Sequence, residues 1–288
     1  MSFNSTTLAG NVSQPLSRNI TISAPQTDGA VHPTNMAITS STPTHTVTTL
    51  DLDTAITLCG SGGGAIAGAI NWYDALISTT GGAKTAGSVH TKGNYASGYV
   101  KPVSLSVDSQ GVAQFQLMAH GIGTTEPVTI TEDSALAGTE GTPKQYGMGP
   151  LFINGTQYTQ ITNINVQFGV TEVADLSDGN IGPRDIKTQG TKCIVTFTTT
   201  DMETLQAAVD GGLELDGTDG LLIYLRQRSE DGTAYLGSTN HITLEILDGL
   251  IVPESTDGNE AKSATFRCEA KYVSQNPIVM TSGVALPA

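Results

Sequence analysis

The sequence predicts an all-β protein made of two tandem units, each carrying one short helix. Three observations support this. The composition has 33 Gly, 5% aromatic and 14% charged residues, with an excess of Thr, Ser and Val, which favours strands and turns over a helical bundle. The stretch Cys193 to Gly212, CIVTFTTTDMETLQAAVDGG, is patterned as a strand running straight into a short helix. A fainter version, THTVTTLDLDTAITLCG at Thr44 to Gly60, sits about 150 residues earlier. A chain of 288 residues has room for two such units, each with its own core.

Residues 1–18 are polar, contain Pro15 and show no periodicity, so they are expected as an extended arm. Asn19 to Ala24 alternates as a half-buried strand should, and 25–43, with Pro33 and Pro43, is a long polar excursion. After a Thr-rich strand around Val47, Leu52, Ala55, Ile56 and Cys59 fall at i, i+3, i+4 and i+7, one face of a short helix. Asp51 or Asp53 caps its start and Gly60 ends it. Residues 61–73 suit strand and helix alike, and 78–98, rich in Gly, Thr and Ser, are expected as a mobile insertion. Tyr99 to Val107 and Val112 to His120 form a hairpin, and Gly121 to Pro150 is loop-like, the natural junction.

In the second unit, Tyr158 to Phe168 alternates as a strand, 169–190 is another polar excursion, and Cys193 to Thr199 is a strand. Thr200 with Glu203 matches a capping box, Met202, Leu205 and Val209 share a helix face, and Gly211-Gly212 stops the helix. Leu221 to Arg228, Ile242 to Ile246 and Ala264 to Val273 complete the strands, with an acidic loop at 249–261. The plan is an arm at 1–18, units at 19–149 and 150–273, and a second arm at 274–288.

The units correspond in order. Asn19 to Ala24 matches Thr162 to Gln167, Val47 to Gly60 matches Val195 to Gly211, and Ala69 to Tyr73 matches Leu221 to Leu225. Val103 to Val107 then matches Ile242 to Ile246 at a shorter offset, and Ala113, Phe115 and Ala119 match Ala264, Phe266 and Ala270. Shared order across these elements points to an internal duplication.

The net charge of −14 argues against phosphate-directed nucleic-acid binding. Both halves are acidic: 5 Lys and Arg against 9 Asp and Glu in 1–149, 8 against 18 in 150–288. No run of 18 apolar residues exists, so no membrane span is expected. Cys59, Cys193 and Cys268 form no CxxC pair, and His32, His45, His90, His120 and His241 form no HxxxH, so no metal or disulfide framework is expected. Gly60, Gly62 and Ala65 have GxGxxA spacing, but no βαβ rhythm follows and no acidic residue lies about 20 positions on. No cofactor and no catalytic set is expected, and the chain is not expected to be an enzyme.

The second unit, from NGTQYTQITNINVQFG through TKCIVTFTTTDMETLQAAVDGG to ATFRCEAKYV, resembles the tail tube proteins of long-tailed bacteriophages. The first unit resembles them more faintly. The resemblance implies two tandem β-sandwich or barrel domains, each flanked by a helix (Leu52, Ala55, Ile56 and Cys59; Met202, Leu205 and Val209). It implies self-assembly into rings, three duplicated chains making a pseudo-sixfold ring, and stacking of rings into the hollow virion tail that conducts DNA without specific binding. The arms and the loops at 25–43 and 169–190, with Asp28, His32, Asp175, Asp178 and Arg184, are the implied ring-to-ring contacts. Implied partners are the tail terminator, tape measure and baseplate proteins, with no membrane, and synthesis in the host cytoplasm. Two other readings stay open: another β-rich virion component, such as a capsid decoration or fibre protein, and a nucleotide-binding enzyme using the turn at 60–65.

Overall fold

The computed structural model describes residues 1–26, 29, 31–33, 35–75, 89–135, 141–201, 205, 209–237, 239–257, 263–271 and 277–287. The protein is all-β, organised around one sheet of eleven strands. Its path runs Leu213–Glu214, Gly249–Asp257, Ser263–Ala270, Ile194–Thr199, Ile161–Gln167, Ser97–Asp108, Gln114–Ile122, Thr44–Thr49, Asn11–Ser13. Off this path, Leu16–Ser17 also pairs with Thr44–Thr49, and Gly64–Ile66 with Ser97–Asp108.

Thr-rich alternation makes these central strands. In Thr44–Thr49, His45, Val47 and Thr49 point inward, and in Ile194–Thr199, Val195, Phe197 and Thr199 do the same. β-branched residues suit a pleated surface buried on one face. The helix Leu52–Cys59 follows directly. The Asp51 carboxylate accepts the Thr54 N–H at 3.3 Å, and Gly60, at φ 52°, closes the end. Leu52, Ala55 and Cys59 are buried, with Ile56 packed beside them. Leu205 and Val209 are also helical and buried. Met202 lies outside the described residues, as does Glu203 of the capping box.

Two five-stranded sheets cover the large one. One runs Val128–Ala135, Val89–Tyr95, Ile70–Ala75, Ser2–Phe3, Thr6–Thr7; the other runs Val279–Val284, His241–Ile246, Leu221–Gln227, Tyr146–Ile153, Thr156–Tyr158. The core lies between these layers as one apolar cluster. Trp72 ties the first small sheet to the large one, with its ring 4.7 Å from His45 and 4.8 Å from Tyr95.

The same connectivity occurs twice. Each half contributes a small sheet of identical order, a two-stranded hairpin (Ile20–Ser23 with Ala37–Ser41; Val170–Asp175 with Asp185–Thr191), and a strand followed by helical residues. Local geometry recurs with it. Left-handed residues fall at Asn4 and Asn154, Ser5 and Gly155, Gly10 and Gln160, Asn19 and Gly169, Gly29 and Gly179, each pair 150 apart. The Thr49 hydroxyl donates to Ala9 and accepts from the Asp51 N–H; the Thr199 hydroxyl donates to Thr159 and accepts from the Asp201 N–H. Later in each half the same bulge follows a proline, between Pro102 and Ser104 and between Pro253 and Ser255.

Several expectations need correction. Residues 1–18 are folded in: Ser2–Phe3 pairs with Ile70 and Asn71, and Phe3 and Leu8 are buried. The 274–288 arm contains the strand Val279–Val284 on His241–Ile246, with Ile278 buried. Strands this short hold too few apolar residues to show a period, and distant partners fix them. Val89–Tyr95 and Val128–Ala135 are strands where loops were expected, and Gly249–Asp257 replaces an acidic loop. Residues 76–88 lie outside the described residues.

Two of the aligned segments change partner. Ile242–Ile246 corresponds to the strand ending at Tyr95, because Tyr95 pairs with Ile70 as Ile246 pairs with Leu221. The counterpart of Thr162–Gln167 is the stretch around Asn11–Ser17, not Asn19–Ala24, whose strand is fully exposed. Phe115, paired with Thr49, corresponds to Ala264, paired with Thr199, two residues from the Phe266 expected.

Gly93 sits opposite Trp72, where an added Cβ would fall 1.9 Å from the indole. Gly93→Ala is therefore expected to lower stability by about 2 kcal/mol through overpacking, read from the urea midpoint with an unchanged slope.

Candidate functional site

The chain's two halves meet by backbone pairing. Ser104–Asp108 lies antiparallel to Asn163–Gln167, and the Phe168 N–H donates to Val103 at 3.1 Å. Phe168 then packs on Phe115, ring centroids 5.6 Å apart.

Beside this seam, the second half's hairpin folds over the first half's strands on a polar seat. The Lys101 ammonium donates to the Val170 carbonyl at 3.1 Å and bonds the Glu172 carboxylate. His120 Nε2 lies 3.3 Å from the other carboxylate oxygen. The Tyr99 hydroxyl donates to Thr188 at 2.6 Å, and the Thr188 hydroxyl donates to Gly62 at 3.0 Å. Backbone bonds from Gly123 to Pro183 (2.9 Å) and from Ile181 to Thr124 (3.2 Å) hold the hairpin further out. A cleft of about 250 Å³ opens between His120, Glu172, Pro183 and Thr44.

Side-chain exposure is 13% at Lys101 and 20% at Glu172, so the pair is largely out of water. Such a pair adds little net stability, but losing one member strands the other. Burial pushes the His120 pKa down, partly opposed by Glu172 and reinforced by Lys101. Burial also lowers His45, opposed by its hydrogen bond to Gln14. Tyr99 is raised by burial, with its Thr188 bond opposing.

The expected site residues divide into two groups. Leu52, Ala55, Ile56 and Cys59, with Leu205 and Val209, hold helical turns onto the sheet. Asp175, Asp178 and Arg184 meet at the exposed tip of the second hairpin. There Asp175 accepts the Ser177 N–H at 2.9 Å and Arg184 pairs with Asp178 at 3.3 Å. The Ser177 hydroxyl and N–H hold the Asp175 carboxyl below its usual range. His32 is exposed, and Asp28 lies outside the described residues. The excursion at 169–190 therefore has two parts: a base packed sideways on the first half and a protruding tip. Gly60, Gly62 and Ala65 follow the helix and lead into the short strand Gly64–Ile66, the reverse of a phosphate-cradling order.

Among the described residues, no group of three or more His, Cys, Asp or Glu is placed to hold a metal, and no helix is long and apolar enough to cross a membrane. The seat residues Tyr99, Lys101, His120, Glu172 and Thr188 carried no sequence signal, since Lys101 and Glu172 stand 71 residues apart in different elements.

The outer edges of the large sheet differ in chemistry. Of eleven exposed large hydrophobics among the described residues, seven lie on the two hairpins or their loops: Ile20, Ile22, Val31, Met36, Ile38, Val173 and Leu176. Val12 lies on the terminal strand Asn11–Ser13, and Leu250 lies on Gly249–Asp257 near the other end, paired there with Glu214 and Glu269. No family model matches the chain, and no curated protein matches it.

Glu172→Leu should cost about 2 kcal/mol by leaving Lys101 unpaired, whereas Lys101→Met with Glu172→Leu should return to within about 1 kcal/mol of the parent. Chemical denaturation of the three variants checks this. For His45 and His120, folded pKa values lie below the ordinary 6.5, so below that pH the unfolded chain binds more protons. Stability should be full above about pH 6.5 and fall toward pH 5, and His120→Gln should flatten the slope, measured as Tm against pH.

Proposed function

We propose that this chain is a structural subunit of a bacteriophage tail tube, built from two tandem tube domains that arose by duplication. The observation that carries the reading is the seam. One half joins the next head to tail through sheet pairing, and the sheet's far ends repeat that seam's two faces without a partner among the described residues. A head-to-tail contact between like units closes into a ring or continues as a filament. Closure also removes strand edges that otherwise invite aggregation.

On this reading three chains make one pseudo-sixfold ring, the helices flank the domains, and the Asp175–Arg184 tip with its first-half counterpart bridges stacked rings. The net charge of −14 suits a lumen through which DNA passes without sticking. The chain's role is then assembly rather than catalysis, in a virion tail whose other parts cap, measure and anchor the tube.

Negative-stain electron microscopy of the purified protein over a range of concentrations tests the reading. Hollow tubes or stacked rings with three chains per ring are expected. Closed trimers that never stack would favour a capsid decoration or fibre protein.

A further inference from the structure

The seam inside the chain has a counterpart at the sheet's ends, with different chemistry. Pairing fixes which residues correspond. Gly98 to Val100 face Gly64–Ile66 as Leu250 and Ile251 face Leu213–Glu214, and the proline bulges align Pro102 with Pro253 and Ser104 with Ser255. Tyr99 therefore corresponds to Leu250, Lys101 to Val252 and Val103 to Glu254. In the hairpins, the cross-strand pair Glu172 and Thr188, just past a bulge, corresponds to Ile22 and Ile38, just past the same bulge.

Two polar pairs on the internal seat thus have apolar equivalents outside, while His120 corresponds to Glu269, because His120 pairs with Thr44 as Glu269 pairs with Ile194. Lys101 with Glu172 becomes Val252 with Ile22, and Tyr99 with Thr188 becomes Leu250 with Ile38. In the single chain three of these groups face water, Ile22 at 59%, Ile38 at 47% and Leu250 at 43% exposed, and Val252 is half-buried. Phe168, whose N–H bonds the Val103 carbonyl, corresponds to Arg18, so the same register would set the Arg18 N–H of one copy on the Glu254 carbonyl of another.

We propose that the Gly249–Asp257 edge receives the Asn11–Ser17 edge and the paired strands Ile20–Ser23 and Ala37–Ser41 of a second copy of this chain, in the register of the internal seam, through an apolar pad of Ile22, Ile38, Leu250 and Val252. The proposal rests on reading the two halves as repeats of one ring-forming unit. The two chemistries keep the junctions distinct. A neighbour's Ile22 placed on the internal seat would leave Lys101 unpaired, and Glu172 placed on Val252 would lose its cation. The apolar seat is therefore reserved for contacts between chains.

Ser104 pairs with Gln167 internally, which places Ser255 against Ser17 of the next copy. The test is Ser17→Cys with Ser255→Cys in the full chain, oxidised with glutathione disulfide and run on non-reducing gels. Cys59, Cys193 and Cys268 are buried and do not compete. A covalent ladder closing at one ring size is expected from the pair. Ser17→Cys with Thr256→Cys should give none, because a one-residue shift turns the side chain to the other face. Ile22→Asp with Ile38→Asp, added to the cysteine pair, should weaken association by at least about tenfold while leaving the monomer's circular dichroism unchanged.

Cross-linking by Ser17→Cys alone would mean like edges meet, and would overturn the proposal. So would a monomeric protein with no cross-link at any concentration. Tubes or rings seen by microscopy without the cross-link would overturn this interface and leave the tail-tube reading standing. The register-specific cross-link without tubes would support the interface and remove the tail-tube reading.

Discussion

A strand in a sheet has hydrogen-bonding groups on both sides, and every layer of this protein follows from where those groups find partners. Ser97–Asp108 uses one side on Gln114–Ile122 and splits the other between Gly64–Ile66 and Ile161–Gln167. That divided edge fuses two halves into one sheet and aligns the hairpin with its polar seat. It also sets the geometry of the ends, because Gly249–Asp257 has its short partner Leu213–Glu214 but no described partner beyond it. Helices, small sheets and hairpins are arranged around that one strand and its counterpart.

Side-chain chemistry then separates two surfaces whose backbones are alike. At the seam inside the chain, ordering of Lys101 and Glu172 is cheap because the halves are covalently joined and effectively concentrated. Between separate chains, apolar burial is the stronger source of association. A polar seat within and, on the proposed interface, an apolar pad without is the distribution those two situations favour.

The strand-to-helix unit was legible because two signals coincide there: a Thr-rich alternation, and a 3.6-residue period opened by Asp51 and closed by Gly60. The all-β class was legible from composition. Register was not. Val103 to Val107 and Ile242 to Ile246 alternate alike, and only their partners assign them to different sheets; the short offset of that pair was the visible sign of misalignment. Phe3 and Leu8 are single apolar residues in polar runs, so nothing local marks them as core. The polar seat was illegible for a related reason: its members lie on four strands, and pairing alone brings them together. Ile20 and Ile22 were visible as alternation, yet alternation predicts a buried face whether the cover comes from the same chain or another.

The position of Lys101 also matters while the protein is being made. The first half leaves the ribosome with its Ser104–Asp108 edge bare until residues 161–167 follow. On the proposed interface, a second copy's Ile22–Ile38 pair laid on this edge during that interval would meet an ammonium group and His120 rather than Val252. Pairing between unfinished chains would then be opposed by one charge, which is neutralised only when its own Glu172 arrives.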